Sequence, residues 1–289
     1  MVQTICVCGA GTMGSGIAQV SAQAGFLTIL YELNASVLEK AKVTIDQSLS
    51  ALVEKGKLNT SDKEKIQSCI RYTNEVQTCK ADVFIEAIVE KPELKISLFS
   101  QLAELNDAQS VFASNTSSLS VNSIAAAIKN PERVIGMHFF NPAPVMKLVE
   151  IVNTNYTSKK ITQIIVDLAG KMGKTPVICK DSPGFIVNRV ARPYYIESLR
   201  LVEEGLTDFV TIDHLLEATG FKMGPFKLMD LIGNDINYAV SCSVYEQLNN
   251  PERLKPSPVQ KEKVEKGELG KKTGKGYYDY SSRADKLKD

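Results

Sequence analysis

Apolar residues fall in short runs in the first part of the chain and at helical spacing in the rest. Residues 3–8, Leu27 to Tyr31, Asp82 to Ile88, Val111 to Ala113, Val134 to His138 and Lys174 to Cys179 each read as a short strand. Between them lie helical stretches: one through Ala24, one from Ala35 to about Lys55 stopped by Gly56, a short one near Asp62 to Ser68, one opened by Pro92, and one over residues 158–172 stopped by Gly173. Alternating strands and helices predict a parallel sheet in an α/β domain over residues 1–181. The helical stretch after Tyr31 exceeds the usual crossover and is expected to project from the sheet as an insertion. Asp181-Ser182-Pro183-Gly184 reads as a boundary with a helix cap and first turn built in. Beyond it the pattern is helical: Phe185 to Val202, Asp208 to Ala218, and a third helix opened by Gly224-Pro225 with apolar Leu228, Met229, Leu231, Ile232, Ile236, Ala239 and Val240. Residues 182–289 are thus expected to form an all-α domain. A helix apolar on so much of its girth needs burial on more than one side, and a subunit interface would supply it.

The first strand runs straight into Gly9-Ala10-Gly11-Thr12-Met13-Gly14 and then a helix, a Gly-x-Gly-x-x-Gly in the strand-turn-helix setting that gives it meaning. Gly9 permits the tight turn, Gly11 admits a pyrophosphate close to the backbone, Gly14 packs helix on strand, and the helix N-terminus attracts the negative charge. The second strand ends at Glu32, 21 residues beyond Gly11, where an acid accepts ribose hydroxyls and repels a 2'-phosphate. This is a Rossmann-type dinucleotide domain with NAD favoured over NADP. Open parallel sheets bind ligands outside the carboxyl ends of their strands, so Glu90, Asn115 and Ser117 point toward the cofactor edge, although capping the next helix is the ordinary job of each taken alone.

Residues 134–152 carry the chemistry. Val134, Ile135 and Met137 deliver His138 to a strand end, Asn141, Pro142 and Pro144 turn the chain, and Val145 to Val152 bring Glu150 back, so a hairpin would join imidazole and carboxylate. An imidazole moves protons near neutrality, and a carboxylate on its far nitrogen fixes the tautomer. Further on, Asn188 and Arg192 lie one helical turn apart with Asn188 early enough to face a cleft, while His214 in polar surroundings reads as a surface residue. Ser48 and Lys55, seven apart, would share a helix face able to meet a phosphate.

A net charge of +1 over 289 residues argues against nucleic acid or an acidic membrane as partner. No apolar run approaches the roughly 18 to 20 residues that cross a bilayer, and no cationic segment precedes the first strand, so a soluble, cytoplasmic protein is expected. Six scattered cysteines without metal spacing read as reduced, buried thiols, with Cys6 and Cys8 facing one side of a strand, and no metal site is expected.

The Gly-rich turn, Glu32, Ser-Asn-Thr-Ser-Ser at 114–118, His-Phe-Phe-Asn-Pro at 138–142, Glu150, Ser-Pro-Gly-Phe-Ile-Val-Asn-Arg at 182–189 and Gly-Pro-Phe-Lys-Leu-Met-Asp at 224–230, in that order, resemble the L-3-hydroxyacyl-CoA dehydrogenases over essentially the whole chain, and among them the bacterial 3-hydroxybutyryl-CoA group. The resemblance implies NAD-dependent oxidation of a 3-hydroxyacyl-CoA, with His138 as base, Glu150 as its partner, and Ser117 and Asn188 holding the reacting end of the substrate. It places Gly9, Ala10, Gly11, Thr12, Met13, Gly14, Glu32, Glu90, Lys95, Asn115, Asn141 and Lys272 against NAD, and Ser48 and Lys55 against coenzyme A. It also implies a homodimer formed through the helical domain and a place in fatty-acid or butyrate metabolism. Glu32 departs from the Asp common in the family. Two alternatives stay open: a dehydrogenase of a free 3-hydroxy acid, and a non-catalytic NAD-binding homologue.

Overall fold

The computed structural model describes residues 2–281, so Met1 and residues 282–289 of the expected helical domain lie outside the described residues. The chain divides into two compact units between Ser182 and Pro183.

The first unit runs β1 (Thr4–Cys8), α1 (Thr12–Gln23), β2 (Leu27–Tyr31), α2 (Ala35–Glu54), α3 (Thr60–Ser68), β3 (Ile70–Thr73), β4 (Val83–Glu86), α4 (Pro92–Leu105), β5 (Val111–Ser114), α5 (Val121–Ala126), β6 (Val134–Phe139), β7 (Leu148–Asn153), α6 (Lys159–Lys171) and β8 (Thr175–Lys180). The strands form one sheet in the order β3-β2-β1-β4-β5-β6-β7-β8. Every neighbouring pair is parallel except β6 with β7. The carboxyl ends of β1, β4, β5 and β6 therefore share one edge, and the loops after them carry the polar residues of interest. Burial on both faces explains the continuous apolar runs, since β4 and β5 are buried throughout. On one face Phe84 and Phe112 stack with centroids 5.4 Å apart; on the other Ile5, Val7, Leu30, Val83 and Ile85 join the main core.

The insertion is anchored on α1: α2 buries Leu38, Ala41, Ile45 and Leu49, a stripe at spacings of three and four, into the core that also holds Ile17 of α1. One expectation needs correction in this unit. A strand was missed at β3, where Ile-Arg-Tyr-Thr offers a single fully buried apolar residue to any pattern.

The second unit comprises α7 (Val187–Glu203), α8 (Phe209–Ala218), α9 (Pro225–Ile232), α10 (Asn234–Gln247) and α11 (Pro258–Glu265) around Tyr195, Leu199, Ile212, Phe226, Met229 and Tyr277. The single third helix expected from Gly224 onward is two, broken at Gly233, whose φ of +103° no helix accepts. Splitting it resolves the excess of apolar girth in part, yet Leu231, Ile232 and Ile236 stay 50%, 38% and 52% exposed. The boundary segment also differs from expectation. The α7 helix starts only at Val187, without a side-chain cap, and the Asp181 carboxylate instead accepts from Ser120 Oγ at 2.8 Å and Asn122 N at 2.7 Å in the first unit.

Candidate active site

The glycine turn after β1 is as tight as its sequence demands. A Cβ at Gly14 would sit 1.8 Å from the Gly9 carbonyl oxygen, one at Gly9, with φ +99°, would sit 2.6 Å from the Ala87 oxygen, and one at Gly11 would meet nothing within 4 Å. Gly9 and Gly14 are thus required by packing, while Gly11 faces open space at the start of α1, the place an anion would take. Thr12 and Met13 form the first turn behind it. Glu32, at the end of β2, accepts from Ala10 N at 3.0 Å through one oxygen and from Asn34 N at 3.1 Å through the other. The acid is fixed against the turn, and each oxygen keeps a lone pair for a ribose hydroxyl. The residues present fit a dinucleotide.

The loops after β4 and β5 are joined by a string of charges. Lys95, on α4, is 1% exposed and places Nζ 2.5 Å from Glu86 Oε1 and 3.0 Å from Glu90 Oε2. Glu86, fully buried at the end of β4, also accepts from Ser114 Oγ at 2.7 Å and Ile88 N at 2.8 Å. Glu90 accepts from Thr116 Oγ1 at 2.5 Å, Ser117 N at 3.1 Å and Ser118 Oγ at 3.1 Å. Burial alone would raise the Glu90 carboxyl, but the Lys95 charge, with hydrogen bonds from Thr116, Lys95 and Ser117, outweighs it and holds the group below the ordinary carboxylate range. Glu90 therefore does not cap α4, which lacks a side-chain cap; it shapes the 114–118 loop and so sets where Ser117 stands. Asn115 does not cap either: its Oδ1 accepts from Phe139 N at 2.8 Å, tying the loop to β6 beside His138.

His138 and Glu150 face each other in the antiparallel β6–β7 register, and His138 Nδ1 lies 2.7 Å from Glu150 Oε2. Both are buried, at 6% and 1% exposure. The hairpin closes through a cis Asn141–Pro142 bond, and Gly136, where a Cβ would come 2.7 Å from Val152 Cβ, lets the two strands approach. The Phe140 ring lies 4.6 Å from the imidazole. The loop 141–146 is held from below by Lys174, whose Nζ donates to the Ala143 oxygen at 2.5 Å and the Met146 oxygen at 2.8 Å; burial pushes its ammonium pKa down.

Of the residues singled out from the sequence, His138, Glu150, Asn115, Ser117, Glu90 and Lys95 are linked by these contacts. Ser48 and Asn141 line a groove of about 390 Å³ that runs past Gly11 and Thr12. Lys55 is exposed at the C-terminus of α2 and does not line that groove. Asn188 lies in the first turn of α7 and Lys272 pairs with Asp235 at 2.6 Å, both in the second unit. His214 is exposed, as a surface histidine would be. Sequence reasoning missed Glu86, Ser114 and Lys174. A signal existed for Glu86, an acid inside an otherwise apolar central strand, which is rarely tolerated unpaired. All six cysteines are free, but only Cys6, Cys8 and Cys79 are buried; Cys69, Cys179 and Cys242 are partly exposed, against the expectation of buried thiols. Among the described residues no group of His, Cys, Asp or Glu could hold a metal, and no helix is long and apolar enough to cross a membrane.

Comparison with known proteins places the chain in a family. The model of the 3-hydroxyacyl-CoA dehydrogenase NAD-binding domain matches residues 4–182, and that of the 3-hydroxyacyl-CoA dehydrogenase C-terminal domain matches residues 184–280. The 3-hydroxyadipyl-CoA dehydrogenase of Escherichia coli is 48% identical over 96% of this chain, which spans 59% of that relative's length. The probable 3-hydroxybutyryl-CoA dehydrogenase of Deinococcus radiodurans is 39% identical over 95% of this chain and 99% of its own. Among solved structures, the (S)-3-hydroxybutyryl-CoA dehydrogenase of Ralstonia eutropha superposes with a TM-score of 0.93 at 36% identity, covering 98% of this chain and 100% of its own.

Proposed function

The chain belongs to the 3-hydroxyacyl-CoA dehydrogenase family, oxidoreductases that act on a CH–OH group with an NAD-type dinucleotide, and from that premise we propose that it interconverts (S)-3-hydroxybutyryl-CoA and acetoacetyl-CoA. The observation that carries the reading is the 2.7 Å contact of His138 Nδ1 with Glu150 Oε2 at the strand edge shared with the glycine turn. Glu150 holds the ring by Nδ1, so proton transfer falls to Nε2. In the oxidative direction Nε2 takes the proton of the 3-hydroxyl, and the charged ring that results is stabilised by the carboxylate behind it. The glycine turn and Glu32 would hold NAD, which would supply the acceptor for the hydride lost from C3 as the C3–O bond becomes a carbonyl. Ser117, aimed through Glu90, and Asn188 hold the reacting oxygen. Burial of the dyad keeps water from competing for the proton.

Gly9, Ala10, Gly11, Thr12, Met13 and Gly14 would take the pyrophosphate, and Glu32 the ribose hydroxyls, which favours NAD over NADP because a 2'-phosphate would face a carboxylate already fixed by Ala10 and Asn34. Glu90, Lys95, Asn115, Asn141 and Lys272 complete the cofactor contacts. Ser48, in the groove beside Asn141, and Lys55 meet coenzyme A. The two domains are residues 1–181 and 182–289, the helical one forming a homodimer through the exposed apolar residues of α9 and α10. The proposed substrate belongs to fatty-acid or butyrate metabolism, and a cytoplasmic location is part of the same proposal. A second acyl group, 3-hydroxyadipyl, enters because the Escherichia coli relative at 48% identity is named for it.

The test is spectrophotometric. With acetoacetyl-CoA the protein is expected to oxidise NADH at least about tenfold faster than NADPH, and to leave free acetoacetate untouched. Turnover of the free acid at a comparable rate would make it a dehydrogenase of free 3-hydroxy acids; NADH binding without oxidation would make it a non-catalytic homologue.

A further inference from the structure

Sheet order decides which half of a dinucleotide meets which loops. Strands β2 and β4 flank β1 on opposite sides, and Glu32 directly follows β2. With the adenosine ribose at Glu32, the nicotinamide half would cross β1 toward the loops after β4, β5 and β6, the last of which follows His138. The charges at that edge do not cancel. Glu86 accepts from Lys95 Nζ at 2.5 Å, Ser114 Oγ at 2.7 Å and Ile88 N at 2.8 Å, and three donors around one carboxyl group require its ionised form. Glu90, lowered against its partial burial by the Lys95 charge, is ionised as well. Between them stands one ammonium, Lys95, with Nζ 3.0 Å from Glu90 Oε2. Two carboxylates on one ammonium leave a single negative charge, and because Glu86 and Lys95 are buried, salt screens it little. Lys91 and Glu93, the nearest charged neighbours in sequence, are exposed and opposite in sign. The Glu150 carboxylate against His138 only adds to the excess.

We propose that Glu86 is a specificity-determining residue for the redox state of the cofactor: the excess negative charge it gives the Glu86, Lys95 and Glu90 set lowers Kd for NAD+ relative to NADH. The inference rests on the reading of Glu90, Lys95 and Asn115 as cofactor contacts. The oxidised nicotinamide ring carries a positive charge and the reduced ring none, while the rest of the dinucleotide is the same in both. A fixed negative charge at this edge therefore acts on the difference between the two forms. In a partly buried site with an effective dielectric of about 20, one elementary charge is worth about tenfold in the ratio of the two Kd values. Neither acid is spare, since Glu86 holds Ser114 and Glu90 holds Thr116, Ser117 and Ser118, so one lysine is left to serve two carboxylates. Tighter binding of the oxidised form also makes bound NADH the stronger hydride donor, by about 30 mV for a tenfold ratio in a two-electron couple.

The experiment measures Kd for NADH by fluorescence titration and for NAD+ by competition against it, and reads the ratio of NAD+ to NADH values. Glu86→Gln takes the net charge of the set from minus one to zero and is expected to raise the ratio about tenfold. Glu86→Gln with Lys95→Met restores minus one and should bring the ratio back to within about threefold of wild type. A role in shape alone would leave the double variant at least as far from wild type as the single. Unfolded protein changes the amplitude of a titration and not the ratio. Should Glu86→Gln fail to fold, Glu90→Gln removes the same charge while Lys95 keeps Glu86, and it is expected to raise the ratio likewise. A ratio unchanged in the single variants, or raised equally in the double one, would overturn this inference; if the wild type still oxidises NADH with acetoacetyl-CoA, the proposed reaction stands. A wild-type protein that binds neither nucleotide would remove the cofactor reading and this inference together.

Discussion

Lys95 serves two acids at once, and the three groups cannot be changed independently. Replacing it by Met would strand Glu86, fully buried, without a counter-charge, at an expected cost of about 3–5 kcal/mol. Removing both charges in Glu86→Gln with Lys95→Met should cost far less, and urea unfolding of the single and double variants separates the cases; equal losses would mean that the pair is not coupled. At the same scale, Glu150→Gln keeps the shape of the dyad but loses the charge that orients the ring. It is expected to lower kcat by about 10²-fold or more with a small change in KM, read in a steady-state assay. These two groupings differ in how far the sequence displays them. His138 and Glu150 sit 12 apart around an Asn-Pro turn, and a hairpin register is enough to join them. Glu86, Ser114 and Lys95 come from three different elements, and only the parallel register of β4 with β5 places Glu86 opposite Ser114.

Elements whose boundaries are set by local chemistry were legible; those set by packing were not. Strand β2, helix α2 and the glycine turn follow from their own residues, whereas β3 exists because β2 offers it an edge. The break between α9 and α10 depends on Gly233, whose positive φ is a tertiary outcome: Asp230 accepts from Tyr277 N at 3.0 Å and Tyr278 N at 3.0 Å, drawing the following chain over that corner. The glycine turn gives the most direct test at this scale. Gly14→Ala pushes a methyl into the Gly9 carbonyl and should abolish NADH binding by fluorescence titration, while Gly11→Ala, with open space around its Cβ, leaves the fold intact and weakens binding only. The chain past α11 offers a pH test. Hydrogen bonds from Lys263 and Lys275 hold the Glu268 carboxyl at about 2, below its ordinary 4.5. A depressed folded pKa stabilises above the ordinary value, and that contribution fades as pH falls from 4.5 toward about 2. The Tm difference between wild type and Glu268→Gln should therefore be constant at neutral pH and shrink below 4.5; a difference that grows on acidification would contradict the assignment.

At the scale of the molecule, the chain forms two units, each with its own core. The first contains the glycine turn, the His138–Glu150 pair and the Ser117 loop; the second contains Asn188 and the exposed apolar residues of α9 and α10. The alternation of strands and helices and the switch to helices alone were plain in the pattern, because hydrophobic periodicity records which faces are covered. What covers Leu231, Ile232 and Ile236 is not written in periodicity. If a second copy does, Ile236→Asp should shift the mass measured by light scattering from dimer to monomer; a monomeric wild type would contradict the proposed assembly. Proton transfer by His138 is tested most directly by the rate of NADH oxidation at saturating acetoacetyl-CoA in His138→Gln against wild type. The rate is expected to fall by about 10²- to 10⁴-fold with NADH affinity retained; turnover at the wild-type rate would mean that another group moves the substrate proton.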